Sequence, residues 1–233
     1  MPQLSEPISK GIWLTSSTFP QDQISSILET SGVHVESGHF EFPAPDSGRV
    51  GNHLQSLFLI EPIAENKQFI GWIADDIVRW IEKRNLIFDV IFAPSQPAVK
   101  KIAHRIAERT ATREAYWEYL PSGWFGTKCL EGEIHHGDKV LIFNAVTPQG
   151  RCVGERLPAF VEQLKGNVVG AAVFAKGTAA GVAAAEQRYG ELFYSSIQVQ
   201  IDVLRPDQCQ QCQAPGATRA IPWTELRDRK SGA

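Results

Sequence analysis

No apolar stretch of this chain approaches the roughly 18 residues of a membrane span, and the N-terminus lacks the basic-then-apolar pattern of a signal peptide. The expectation is a cytoplasmic protein without a membrane partner. There is no surplus of positive charge. The formal net charge is -3, which argues against a protein that grips nucleic acid through a basic face, although net charge says nothing about its distribution. Repeats and long low-complexity segments are absent. Cysteine is scarce, at four residues. Cys209 and Cys212 form a Cys-x-x-Cys pair, but no second close pair or His cluster sits nearby in sequence, so no metal site is assigned. Pro206 and Pro215 bracket a Gln-rich turn there, unlike the helix start that a redox pair favours. The pair reads as a tail of reduced thiols, with metal or redox function the rival reading.

What is present is ordinary globular composition, 43% hydrophobic and 21% charged over 233 residues, enough for one large domain with small additions. Residues 1–20 carry Pro2, Pro7 and Pro20 and read as an extended lead-in. Gln21–Thr30 has Ile24, Ile27 and Leu28 at helical spacing. His39–Phe42 alternates and Leu54–Ile60 is apolar. The Pro-Asp-Ser-Gly turn signal between them predicts a hairpin-like excursion.

From Lys67 the pattern alternates helix and strand. Phe69–Arg84 places Ile70, Ile73, Ile77, Trp80 and Ile81 on one face, with Asp75, Asp76, Arg79 and Glu82 elsewhere. Phe88–Phe92 predicts a buried strand, Ala98–Thr110 a helix and Glu114–Leu120 a strand. Pro121–Gly132, with three glycines, predicts a mobile loop. Asp138–Asn144, Cys152–Leu164, Asn167–Phe174 and Tyr194–Val203 then read as strand, helix, strand and strand. Continuously apolar strands are buried on both faces, as in a parallel sheet between helices. The expected fold is a doubly wound α/β domain, with its site beyond the carboxyl ends of the strands. The turns to inspect are therefore Ala93–Pro97 and Ala145–Arg151.

The segment Lys139-Val-Leu-Ile-Phe-Asn-Ala-Val-Thr-Pro-Gln-Gly-Arg151 resembles the phosphoribosyl-diphosphate motif of type I phosphoribosyltransferases. In that family an apolar strand ends in two acidic residues, and a Thr/Gly-rich loop then cradles the 5′-phosphate at a helix start. Phe88-Asp-Val-Ile-Phe-Ala-Pro-Ser-Gln-Pro97 resembles the strand and diphosphate loop of orotate phosphoribosyltransferases. Ser37-Gly-His-Phe40 is similar to their early Gly-His-Phe segment. Pro121–Gly132 falls where they have a mobile catalytic loop. Leu204-Arg-Pro-Asp-Gln-Cys-Gln-Gln-Cys212 resembles the tail of some bacterial members. Together these pieces span roughly Gly38 to Pro215.

The resemblance implies a type I phosphoribosyltransferase-like sheet over residues 67–205. A small hood is expected from 1–66 and a Cys-x-x-Cys tail over 206–233. It also implies a homodimer, and a ligand site formed by Ser95, Gln96, Lys100, Asn144, Thr147, Gln149, Gly150 and Arg151. Lys128 lies where the family carries a catalytic lysine, and would otherwise be a surface residue. Magnesium is implied only if phosphoribosyl diphosphate is bound, and no other cofactor is assigned.

The departures are specific. Asn144 and Ala145 occupy the acidic positions, Pro148-Gln149 replaces Thr-Thr, and Pro97-Ala98 replaces paired glycines. Proline donates no backbone hydrogen bond, and each lost hydrogen bond to a carboxylate is worth roughly 1.5–3 kcal/mol. Loss of the orotate reaction is the expectation, leaving a protein that binds a phosphorylated small molecule or a protein partner. A transferase with a changed base or metal handling, and a purely structural subunit, are the alternatives. Restoring Asp at both 144 and 145 is expected to strengthen phosphoribosyl-diphosphate binding.

Several residues keep two readings. Arg151 is either an anion clamp or a solvated first-turn residue. Lys100 and Lys101 either meet an anion or face solvent. His135 and His136 read as turn residues. Tyr116, Trp117, Tyr119, Trp124 and Phe125 form an aromatic run, part core and part suited to a flat ligand or a protein contact.

Overall fold

The computed structural model describes residues 7–30, 32–42, 51–216 and 218–230. The chain opens with strand β1 (Ile12–Leu14) and helix α1 (Gln21–Leu28), which buries Ile24 and Ile27. Four two-residue strands follow: β2 (His34–Val35), β3 (Phe40–Glu41), β4 (His53–Leu54) and β5 (Leu57–Phe58). Strands β3 and β4 pair antiparallel with Phe40 opposite Leu54. The Pro-Asp-Ser-Gly turn expected between them lies outside the described residues.

A short α2 (Glu61–Ala64) leads into α3 (Lys67–Lys83), which Asn66 caps by accepting a hydrogen bond from the Gln68 amide at 2.9 Å. Then come β6 (Val90–Pro94), α4 (Pro97–Thr110), β7 (Arg113–Tyr119), β8 (Phe125–Glu131) and β9 (Lys139–Thr147). A π-helical turn over Cys152–Arg156 runs into α5 (Leu157–Gln163). Next are β10 (Asn167–Lys176), α6 (Ala180–Tyr189) and β11 (Phe193–Val199). The last elements are β12 (Val203–Leu204), α7 (Gln210–Gln213), β13 (Ile221–Pro222) and α8 (Trp223–Lys230).

Seven strands form one sheet in the order β1-β11-β10-β9-β6-β7-β8. The central five are parallel, and β1 and β8 close the edges antiparallel. Alternate residues of each buried strand serve opposite faces. Ile91, Ala93, Leu141, Phe143 and Phe174 join the α3 and α4 side with Ile73, Ile77 and Ile102. Val90, Phe92, Val140, Ile142 and Val173 pack instead against Val153, Leu157 and Val161. The doubly wound α/β reading from the apolar runs is what the structure shows. The parallel strands appear in space as 2-1-3-4-5 of their chain order, which puts the reversal between β6 and β9. A second sheet, β12-β4-β3-β13, is built from both ends of the chain.

Three local expectations are corrected. Pro121–Gly132 is not a free loop, because β8 pairs with β7, Trp117 standing opposite Cys129 and Tyr119 opposite Phe125. Gly126 leaves room for the Glu118 side chain beside that pairing. A Cβ there would lie 1.8 Å from Oε2 of Glu118, and the Gly126 carbonyl accepts from the Trp117 indole at 3.0 Å. Second, β9 continues through Thr147, so the motif residues Asn144 and Ala145 sit inside a strand rather than at its end.

Third, Asp76 is fully buried. Its carboxylate accepts from Ser16 Oγ (2.8 Å), Thr18 Oγ1 (2.8 Å), Tyr194 Oη (2.5 Å) and Ser196 Oγ (2.7 Å), and Arg79 approaches to 3.8 Å. Four hydroxyl donors from distant segments compensate the desolvation of one carboxylate.

Candidate functional site

A cavity of about 410 Å³ opens at the carboxyl ends of β6 and β9, at the reversal in strand order where such folds bind ligands. One wall is aromatic and apolar: Phe42, Phe58, Tyr119, Trp124, Phe125 and Trp223. The other is polar, with Gln96, Asn144, Thr147, Gln149, Arg151 and Arg156. The aromatic run of the sequence is thereby sorted. Tyr116 and Trp117 are core residues, 2% exposed each, and Trp117 stacks on Phe160 at 4.0 Å. Tyr119, Trp124 and Phe125 line the cavity.

The loop after β9 is held by close backbone approach. Gly150 has φ +75°, and a Cβ on it would lie 2.2 Å from the Gly181 carbonyl oxygen. A Cβ on Gly177 would meet the Pro148 carbonyl oxygen at 2.3 Å, and the Gly177 amide donates to Thr147 O at 3.0 Å. The loop thus leans on the turn before α6. Arg151 starts the next turn, largely exposed at the cavity rim, with a 3.9 Å approach to Glu155. Arg156, which the sequence reading did not single out, lies with its guanidinium 4.3 Å from the Trp124 ring centre. It stands four residues after Cys152, which also lines the cavity, so the two share one face of the turn.

Glu61 is the one carboxylate among the described lining residues. It accepts from Gln96 Nε2 at 2.6 Å, and burial pushes its carboxyl above the ordinary value of 4.5. Cys152 also lines the cavity, but burial raises its thiol to about 11, overriding Arg156 and Arg151. A thiol so raised is protonated near neutrality and is no nucleophile.

Six of the expected ligand residues meet here: Gln96, Asn144, Thr147, Gln149, Gly150 and Arg151. Three do not. Ser95 is occupied by the end of β7, donating its amide to Trp117 O at 2.8 Å and accepting from the Tyr119 amide at 2.9 Å. Lys100 pairs with Glu131 at 2.5 Å and lies over the Tyr116 ring. Lys128 is exposed on β8, outside the lining. Lys101 holds Glu65 and the Ala64 carbonyl, both at 3.1 Å, and His135 is a turn residue whose amide donates to Asp138 at 2.6 Å.

A magnesium–phosphoribosyl diphosphate complex does not fit this donor set. Asn144 is turned to its own strand, donating Nδ2–H to Val146 O at 3.2 Å, and Ala145 is fully buried in the core. Neither supplies a carboxylate, and Glu61 is a desolvated one.

With this topology and site location, the chain has the fold of the type I phosphoribosyltransferases. It is similar in structure to an orotate phosphoribosyltransferase of Mycobacterium tuberculosis in complex with inorganic phosphate. The TM-score is 0.52 at 16% identity, over 76% of this chain and 95% of that one. A phosphoribosyltransferase from Corynebacterium diphtheriae gives 0.54 at 12% identity, over 76% and 95%. UMP synthase of Leishmania donovani gives 0.53 at 16%, but the match spans 35% of that longer chain against 76% of this one. No protein-family model matches the sequence, and a search of curated proteins found no match.

Cys209 and Cys212 are joined in space by His39 and His53. Sequence spacing hid this cluster because the histidines lie on β4 and just before β3, more than 150 residues upstream.

Proposed function

We propose that this chain keeps a phosphoribosyltransferase cavity for binding a phosphorylated small molecule with a flat ring, and has given up the orotate reaction. The observation that carries it is the donor set. Two guanidinium groups and no motif carboxylate face a cavity that retains its aromatic wall. Arginines suit a phosphate, by charge and by forked geometry. The aromatic side chains suit a planar ring. Without carboxylates on β9, the ribose hydroxyls of phosphoribosyl diphosphate lose partners worth roughly 1.5–3 kcal/mol each. The similar protein from Mycobacterium tuberculosis holds inorganic phosphate, in keeping with an anion pocket on this fold. The two-fold dimer implied by the resemblance is retained in this proposal, and sedimentation equilibrium tests it.

The test is calorimetric titration with a nucleoside monophosphate and with phosphoribosyl diphosphate, each with and without magnesium. The expected result is nucleotide binding that magnesium does not change. Micromolar binding of phosphoribosyl diphosphate that requires magnesium would overturn it and restore the transferase reading.

The double restoration of aspartates needs revision. Ala145 is fully buried, so Asp there would place an unpaired charge in the core. Asn144→Asp is the informative variant, since residue 144 lines the cavity.

A further inference from the structure

We propose that His39, His53, Cys209 and Cys212 form a structural zinc site that fastens the C-terminal segment to the small sheet. The four ligand atoms all lie within 4.8 Å of one another. His39 Nε2 is 3.0 Å from His53 Nδ1, 3.5 Å from Cys209 Sγ and 3.3 Å from Cys212 Sγ. Cys212 Sγ is 3.2 Å from His53 Nδ1. A tetrahedral zinc with ordinary bond lengths sets its ligands about 3.3 Å apart for two nitrogens and about 3.6 Å for nitrogen and sulfur. These four separations need a few tenths of an ångström of expansion, and the widest pair, within 4.8 Å, closes by up to about 1 Å.

The surroundings fit the same reading. His39 Nδ1 is 2.9 Å from the Thr218 carbonyl. That oxygen can only accept, so Nδ1 carries the proton and the Nε2 lone pair points into the cluster. Metal-bound histidines are commonly fixed in this way. His39 and His53 are 9% and 4% exposed and Cys209 1%, so three of the four ligands are buried. Zn²⁺ entering displaces two thiol protons, leaving two thiolates and a centre of zero net charge, which suits that burial. Two sulfurs and two imidazoles select zinc over the hard oxygen-seeking cations.

The fold gives the site something to do. Strands β3, β4, β12 and β13 are two residues long each, too short for ladder bonds alone to hold. The ligands flank these strands: His39 precedes β3, His53 begins β4, and the cysteines lie between β12 and β13. Phe42 follows β3 and Trp223 follows β13. The two rings meet edge-on at 6.4 Å and both line the cavity. The metal therefore braces one wall of the binding site from outside it.

The full chain, produced with zinc and dialysed against metal-free buffer, is analysed for metal, and cobalt(II) is then exchanged in. One zinc per chain is expected, with a cobalt spectrum showing thiolate charge transfer and tetrahedral ligand-field bands. Cys212→Ser, at the exposed ligand, is expected to lose the metal to a competing chelator, while Cys129→Ser keeps it. Should Cys212→Ser not fold, the wild-type stoichiometry and cobalt spectrum decide the matter. A metal-free wild type, an octahedral cobalt spectrum, a Cys212→Ser chain that holds zinc as firmly, or a Cys209–Cys212 disulfide in the isolated protein would each overturn the proposal. None of these readouts involves the cavity ligand.

Discussion

The α-carbon of Gly150 faces the Gly181 carbonyl so closely that a methyl group at position 150 would lie 2.2 Å from that oxygen. The same residue holds φ +75°, a conformation that L side chains rarely adopt. Gly150→Ala is therefore expected to cost about 2 kcal/mol or more, from steric overlap added to backbone strain. Gly137→Ala is the control. It shares a positive φ of +86° but has nothing within 4 Å of the new methyl, so it carries the strain alone, about 1 kcal/mol. Urea unfolding of both variants checks this, and equal losses would mean that the contact with Gly181 is unimportant.

Asp76 organises the opposite side of the sheet. Replacing it with Ala leaves the Ser16, Thr18, Tyr194 and Ser196 hydroxyls without their shared acceptor. A loss of about 3 kcal/mol or more is expected, since stranded buried donors cost more than the bonds contributed net. Ser196→Ala, which removes one donor and strands nothing, should cost about 1–2 kcal/mol. Equilibrium unfolding measures both. A smaller loss in Asp76→Ala than in Ser196→Ala would contradict the network.

The two guanidinium groups at the cavity are expected to govern binding of a phosphorylated ligand. Arg151→Ala and Arg156→Ala should each weaken nucleoside monophosphate affinity roughly tenfold to hundredfold, the equivalent of one charge-assisted hydrogen bond. Arg156→Ala should also change tryptophan emission, because that guanidinium lies over Trp124. Titration calorimetry and fluorescence report the two effects separately. Unchanged affinity in both variants would remove the anion site.

Glu61 gives the stability a pH dependence. Burial raises its folded-state pKa above its unfolded value, so the folded protein binds the proton more tightly. Between those two values stability falls as pH rises. Glu61→Gln abolishes this contribution while keeping an oxygen for Gln96. The variant's stability relative to wild type should therefore increase as pH climbs through and above 4.5, the ordinary glutamate value. Urea midpoints across that range test it, and a difference independent of pH would refute it.

Much of the fold was legible in the residues. Phe88–Phe92 and Asp138–Asn144 read as buried strands because both faces of β6 and β9 are covered, and helical spacing in Phe69–Arg84 marked α3. The order of these signals led to the doubly wound sheet and to the Ala93–Pro97 and Ala145–Arg151 turns. Those features depend on near neighbours in the chain, and periodicity records them.

Contacts across long separations left no such trace. Nearer in the chain, Pro121–Gly132 reads as a loop because its glycines mask the pairing with adjacent β7. Asp76 reads only as a residue off the apolar face of its helix until four hydroxyls converge on it. Arg156 shows its place only once its turn is set against the cavity, and His39 and His53 find the cysteines only once β3 and β4 pair beside β12 and β13. The sequence by itself determined the elements and the missing motif carboxylates, which are properties of the residues in place. The tertiary structure alone decided which polar groups meet, because burial, tautomer and ligand geometry arise between segments that the chain keeps far apart.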